Sequence, residues 1–349
     1  FLILSVTGLR KYIAVAMPEC LKKSIPAGIG LFIALIGLKN ATLIQDNPYT
    51  FVQFFDFHGV ITSAGSAKEA IAQIAPPVVA FVGFIIIAIL AKLNVKGNII
   101  LASTVLYYVM MLQAPNFDFS SIGQSFKDFG SVGFLGVFQG QAWKDAFSAE
   151  YIGGVFSAIM LVVSFCLVDM FDTIGTLYGA ASQANMLDEK GDPMKLDECM
   201  MCDSIGTVSG ALLGTSTCTT FVESASGIAA GGRTGLTSLV TALCFAVCLF
   251  LSPVANIIPS CATAPALIFV GVLMAKNFAK VDMEDMRSAV PAFVTFLMMP
   301  LTYSISNGIG LGAITYVLIT LFTGKYKKQD IVVTIIALLF IVKFVSVTM

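Results

Sequence analysis

Charge is the scarcest ingredient of this 349-residue sequence. Asp, Glu, Lys and Arg make up 12% of it, against roughly 25% in an ordinary soluble domain, while hydrophobic residues reach 57%. No soluble fold of this length can hide that much apolar surface, so the solvent must be lipid. Acidic and basic residues nearly cancel, at a net charge of −1, and give no sign of a nucleic-acid partner. Histidine is all but absent. His58, in FFDFHGV, is the only one, so an intramembrane enzyme built on a histidine base or a metal set has little to draw on. The eight cysteines are scattered, most of them in apolar runs where a Cys behaves as a small hydrophobe. Cys199-Met-Met-Cys202 is a lone CxxC with no second pair and no nearby His, and Cys244 and Cys248 sit one helical turn apart as packing residues. No metal or cofactor is expected. Also missing is an initiating Met with a basic region. The opening FLILSVTG reads as the tail of a spanning helix already under way, so an N-terminal part is expected upstream of Phe1.

Apolar runs are what the sequence has in abundance. A span needs about 20 mainly apolar residues. Candidates are 24–45, 76–93, 97–112, 153–180, 199–213, 236–252, 263–279, 289–305 and 306–323, with a last run, 331–346, interrupted by Lys343. Basic residues cluster at Arg10, Lys11, Lys22 and Lys23, at Lys92 and Lys96, at Lys190 and Lys195, at Lys276, Lys280 and Arg287, and at Lys325, Lys327 and Lys328. These clusters fall on one side if 215–235 counts as one crossing, and that side is then cytoplasmic. The opposite loops, 46–75 and 113–150, are aromatic and nearly neutral. On this parity 331–346 lies at the cytoplasmic interface, with a crossing as the alternative. LFIALIGLKNA (31–41) resembles IFVGVLMAKNF (268–278), the first copy ending outside and the second inside. That pattern is the signature of an inverted-topology repeat, which places a site near the midplane.

Three carboxylates stand in or beside these runs: Asp169 and Asp172 in CLVDMFDTIGTLYG, and Glu223 in TSTCTTFVESASGIAAGGRTG (215–235). Each costs on the order of 2.5–3.5 kcal/mol at the bilayer centre, so such residues are expected to face a protein-lined cavity. No Lys, Arg or His lies within those spans to pair with them. Asp169 and Asp172 are three apart and share a helix face, where joint ionisation is unfavourable. One of the two is a candidate proton carrier. Membrane aspartyl proteases draw their two aspartates from different helices, a geometry that an i, i+3 pair does not fit.

The stretch around Glu223 opens β-branched and hydroxyl-rich, then turns small, with a serine able to cap a half-helix. A crossing broken in this way is tolerated only where it lines a cavity. A Gly-rich helix packing tightly would explain the glycines but not Glu223. A carboxylate among fixed backbone donors and acceptors suits a small, flat, neutral molecule with adjacent N–H and C=O groups, such as a heterocyclic base. Phe221 can stack on such a ring, with plain packing as its alternative role.

DMFDTIGTLYG followed by GTSTCTTFVESASGIAAGGRTGLTSLV resembles the adenine/guanine/hypoxanthine permeases, the AzgA-like branch of the nucleobase–ascorbate (xanthine/uracil permease) superfamily. The similarity runs through the whole chain. It implies an all-α polytopic membrane protein of fourteen segments in two inverted repeats of seven, divided into core and gate domains. Segments three and ten each hold a short strand and a half-helix, with purine between them. On this resemblance 1–23 is the end of segment four and a cytoplasmic connection. Residues 24–112 and 263–323 form the gate, and 113–152 an extracellular loop. Residues 153–252 form half of the core, and 324–349 a C-terminal interfacial or membrane segment. Segments one to three, with their half of the site, fall outside the sequence, and the chain alone is not expected to transport.

By the same resemblance Asp169 and Glu223 hydrogen-bond the base, and Phe221, Val222 and Ser224 complete that wall. Asp172, Thr173 and Thr219 support the site or couple the proton. The implied activity is proton-coupled import of hypoxanthine, guanine or adenine across a bacterial inner membrane, by a multi-pass protein compatible with a homodimer. A uracil, xanthine or anion carrier of the same superfamily is the alternative. Glu223 argues against anions and the DMFDT spacing against uracil. An intramembrane enzyme is a more distant one.

Overall fold

The computed structural model describes residues 2–8, 17–93, 99–111, 155–189, 191–215, 218–221, 224–250, 257–324, 326–327 and 330–346, with isolated positions at 123, 127, 130 and 138. In chain order the elements are α1 (Leu2–Val6), α2 (Glu19–Asn40), β1 (Ile44–Asn47), β2 (Phe51–Phe54), α3 (Phe57–Ser63), α4 (Ala67–Lys92) and α5 (Ile99–Met111). There follow α6 (Val155–Ala184), α7 (Leu196–Leu212), α8 (Ser224–Ala229), α9 (Gly235–Phe250) and α10 (Ser260–Ala275), the last continued by a 3₁₀ turn, Lys276–Lys280. The chain ends in α11 (Met286–Leu301), α12 (Ile305–Phe322) and α13 (Asp330–Ser346). Four described stretches, Glu19–Asn40, Ala67–Lys92, Ser260–Lys280 and Ile305–Phe322, are long and apolar enough to cross a membrane.

Several boundaries differ from the hydropathy reading, each for a local reason. The span expected at 24–45 ends at Asn40, because Thr42 takes φ +55° and the chain turns into a hairpin. That hairpin pairs Ile44 with Phe54 and Asn47 with Phe51, a small exception to the all-α class inside what was read as an open loop. Asn47 Oδ1 accepts from the backbone N–H groups of Tyr49 and Thr50 and shapes the turn. The span expected at 76–93 begins nine residues earlier, at Ala67. There Ser66 accepts from the Glu69 N–H and Glu69 reaches back past the cap to accept from the Gly65 N–H, a variant of the capping box that carries the helix out of its apolar part. The short strand expected before the half-helix is not formed among the described residues of 215–221.

The chain divides into two compact units. One comprises Phe1–Leu31, Ser125–Gly232 and Met274–Met349; the other comprises Phe32–Gln124 and Arg233–Leu273. In the first, α1 packs on α7, and α6 packs on α8, α12 and α13, while α12 also packs on α11 and α13. Helix association in lipid depends on close approach at small residues, and this unit uses it repeatedly. Gly308 and Gly312 of α12 lie against Met299, Thr295 and Pro291 of α11, and Gly310 lies against the buried ring of Phe340 in α13. Gly175 of α6 lies against Ile25 and Ile29 of α2. α13 runs antiparallel along α12, with Asp330 beside Tyr316 and Lys343 beside Ser306. In the second unit α4 packs on α5 and α3, with Gly83 against Pro265 and Ser103 and Gly37 against Ala264, Leu267 and Ile268.

Candidate substrate site

α6 is a long apolar helix with one polar stripe. Asp169, Thr173 and Thr176 stand at i, i+4 and i+7, so they share a face. All three are buried: Asp169 is 8% exposed, Thr173 0% and Thr176 1%. Asp172 is half-buried beside them. Met170 and Ile174 bury the neighbouring faces, so the stripe does not look out on lipid.

The stripe meets the broken stretch that follows α7. Thr173 and Thr219 hydroxyls hydrogen-bond across the gap at 3.1 Å. α7 holds the same stretch from the other side. Thr207 Oγ1 donates to the Cys218 carbonyl at 3.1 Å, and the Thr215 N–H donates to the Gly210 carbonyl at 2.9 Å. Irregular backbone at membrane depth requires its polar groups to be met by protein, and these contacts meet the Cys218 carbonyl and the Thr215 N–H. The Ser224 N–H donates to the Phe221 carbonyl as α8 begins. Six residues later the half-helix closes, with the Gly232 N–H donating to the Gly227 carbonyl and Gly231 at φ +108°, a conformation that glycine tolerates.

The expected site residues therefore divide. Thr173 and Thr219 are in direct contact, with Asp169 one turn from Thr173 on the same stripe and Asp172 beside it. Phe221 is 60% exposed and Ser224 is exposed. Val222 and Glu223 lie outside the described residues. The sequence reading passed over Asp203 and Ser204 in α7, which are buried at 8% and 0%. Ser204 hydrogen-bonds Ser5 of α1 and donates to the Met200 carbonyl. The signal for Asp203 is a carboxylate inside the apolar run 199–213, overshadowed in the sequence by the thiols of Cys199 and Cys202. Cys199 is half-buried and Cys202 exposed. His58 is an exposed residue in the first turn of α3.

Comparison with known proteins agrees with this architecture. The family model described as "Permease family" matches residues 1–311. The chain is 37% identical to the adenine permease AdeP of Escherichia coli (strain K12), covering 99% of this chain and 72% of the relative. It is 36% identical to the guanine/hypoxanthine permease PbuG of Bacillus subtilis (strain 168), again over 99% of this chain and 72% of the relative. The adenine permease AdeQ of Escherichia coli (strain K12) is 35% identical over 99% of this chain and 71% of its own. A largely helical chain with several apolar spans, matched at this length by permeases, is a transporter rather than an enzyme. The chain belongs to the nucleobase–ascorbate (xanthine/uracil) permease superfamily.

Proposed function

We propose that this permease imports purine nucleobases by proton symport, with Asp169 and Glu223 hydrogen-bonding the base. The observation that carries the reading is the buried stripe Asp169–Thr173–Thr176, tied to the broken stretch through the Thr173–Thr219 hydrogen bond. A carboxylate and hydroxyls presented together offer both acceptors and donors, which suits the edge of a neutral heterocycle better than an anion. The relatives named adenine permease and guanine/hypoxanthine permease support the purine class. Asp172, half-buried beside Asp169, is the proposed proton carrier, with Thr173 and Thr219 as support. Phe221, Val222 and Ser224 complete the wall around Glu223. The proposed architecture is two inverted repeats forming a core that moves against a gate. The antiparallel packing of α13 along α12 supports counting 331–346 as a crossing. An inner membrane of a bacterium is the proposed setting.

The test is uptake of radiolabelled hypoxanthine, adenine and uracil by a purine-transport-deficient bacterium expressing the full-length protein. Purine uptake should collapse in Asp169→Asn and Glu223→Gln and under an uncoupler. Uptake of uracil alone would favour the alternative substrate class. Mutants as active as the parent would sink the site assignment.

A further inference from the structure

A cavity of about 940 Å³ lies within the first unit, at the end that carries the basic loops rather than along the Asp169 stripe. Its wall holds two clusters of the same make. In each, a helix ends near a tyrosine whose hydroxyl donates to an aspartate 14 residues further on, and a cation completes the group. Tyr178 of α6 donates to Asp192, which also accepts from Lys22 Nζ at 2.8 Å, and Lys22 lies 5.3 Å from the Tyr178 ring centre. Tyr316 of α12 donates to Asp330 at 3.1 Å. Arg287 donates to the Tyr316 oxygen at 2.9 Å, stands 3.6 Å from Asp330 and lies 5.4 Å from the ring centre.

The clusters differ in what they join. The Arg287 cluster binds α11, α12 and α13, which are already interlocked along their length by Gly308, Gly310 and Gly312. The Lys22 cluster joins the start of α2 to the end of α6 and the loop after it. Deeper in, α2 and α6 meet through apolar and small groups: Gly175 against Ile25 and Ile29, and Gly179 against Pro26. Contacts of that kind break no polar bonds when they slide. The polar ties to the end of α6 gather at the cavity instead, where Lys280 Nζ also donates to Ser182 Oγ at 2.6 Å. Lys22 and Asp192 side chains are 13% and 12% exposed, so the pair is largely withdrawn from bulk solvent yet lines the cavity. Such a pair is strong enough to bias a conformation and accessible enough to release it.

We infer that Lys22, Asp192 and Tyr178 form a cytoplasmic latch that holds the substrate helix α6 on α2 and opens during the transport cycle. The latch rests on the proposed reading of α6 as core and α2 as gate. It acts at a distance, since Asp169 and Thr173 lie upstream of Tyr178 on the same rigid helix. Tyr178, Lys22 and Asp192 are therefore positioning residues and touch no substrate.

Cys20 supplies a reporter, because it is buried and lines the same cavity. Inside-out vesicles of the full-length protein are treated with a maleimide, and modification of the Cys20 peptide is followed by mass spectrometry, without substrate. Lys22→Met and Asp192→Asn should each raise the Cys20 labelling rate about tenfold, as expected for a two-state equilibrium tipped toward its open form. Tyr178→Phe, which removes one hydroxyl and leaves the ring, should raise it less. The exchanged pair Lys22→Asp with Asp192→Lys should return it close to the parent rate. Labelling unchanged in all three single variants would overturn the latch. So would labelling that stays high in the exchanged pair, since that marks lost packing. Hypoxanthine uptake is measured on the same preparations. Failure of purine uptake in the parent would remove the substrate reading while leaving the labelling contrast to stand. Unchanged labelling with intact, Asp169-dependent uptake would remove the latch alone.

Discussion

The hydrogen bond between Thr173 and Thr219 links the carboxylate-bearing helix directly to the broken stretch, and it can be removed without changing shape. Thr173→Val replaces a fully buried hydroxyl by a methyl and leaves Thr219, half-buried, facing it. Stranding one partner of a buried hydrogen bond costs about 1–3 kcal/mol, more than the net worth of the bond itself. Thr219→Val is the milder change. The Thr173 hydroxyl it strands sits in a helix and can turn to the carbonyl four residues back, that of Asp169. Replacing both should approach the parent, because two methyls in contact leave nothing unsatisfied. The coupling between the two substitutions is then expected at about 1–3 kcal/mol in magnitude, within the range for residues in contact.

If Thr219 sets the broken stretch in its binding geometry, Thr173→Val alone lowers kcat/KM for purine uptake by about 5- to 150-fold, the same energy read as a rate. The assay is a double-mutant cycle read twice, by thermal unfolding of the purified protein and by initial rates of hypoxanthine uptake. Singles whose effects add to within about 0.3 kcal/mol would show that the two hydroxyls do not act on one another. The reasoning from that contact to the site would then fail.

Two further substitutions test the packing around that site. Gly312→Ala should lower the melting temperature by the equivalent of about 1–3 kcal/mol, because the added Cβ would collide with the Thr295 side chain and come within 3.2 Å of the Pro291 carbonyl. An unchanged melting temperature would mean that α11 and α12 are not in the contact described. Lys343→Met should leave stability within about 1 kcal/mol of the parent, since the groups described around the buried amine are neutral, the Ser306 and Asn307 side chains and the rings of Phe340 and Phe344, and a methionine of similar length removes its desolvation. A loss above about 3 kcal/mol in a thermal melt would point to a buried counter-charge.

The features that reasoning from residues reached first are those with a high local energy. A carboxylate in an apolar run is conspicuous because its cost is large, and Asp169 is indeed buried on the face that meets the broken stretch. The half-helix at Ser224–Ala229 was legible in the same way, from a serine followed by small residues and glycines. Cheaper features escaped. The polar first turns of α4, from Ala67 to Ala75, fall below any hydropathy threshold, although Ser66 and Glu69 spell a capping box that would have marked them. The hairpin at 44–54 lacks the alternation that betrays a strand, its first arm reading Ile-Gln-Asp-Asn, and is held instead by the side chain of Asn47 in the turn.

The Lys22 latch marks a different limit, one of ambiguity rather than weak signal. Lys22 was visible from the outset as one of a group of basic residues preceding a span, and the positive-inside rule accounts for it completely. That rule counts charges near the end of a helix without asking where each one points. Its partner, Asp192, lies 170 residues away in a loop that gives no sign of facing α2. Only the fold brings the two together, so a residue that serves topology by number serves packing by position. The two roles separate in a single variant. Lys22→Met leaves Lys23, with Arg10 and Lys11 earlier in the sequence before the same span, enough positive charge by that rule to keep the orientation of α2. It removes the only side chain that reaches both Asp192 and the Tyr178 ring from α2 among the described contacts. A change in Cys20 labelling at unchanged membrane orientation therefore reports the latch, because the topological role of the lysine is carried by its neighbours.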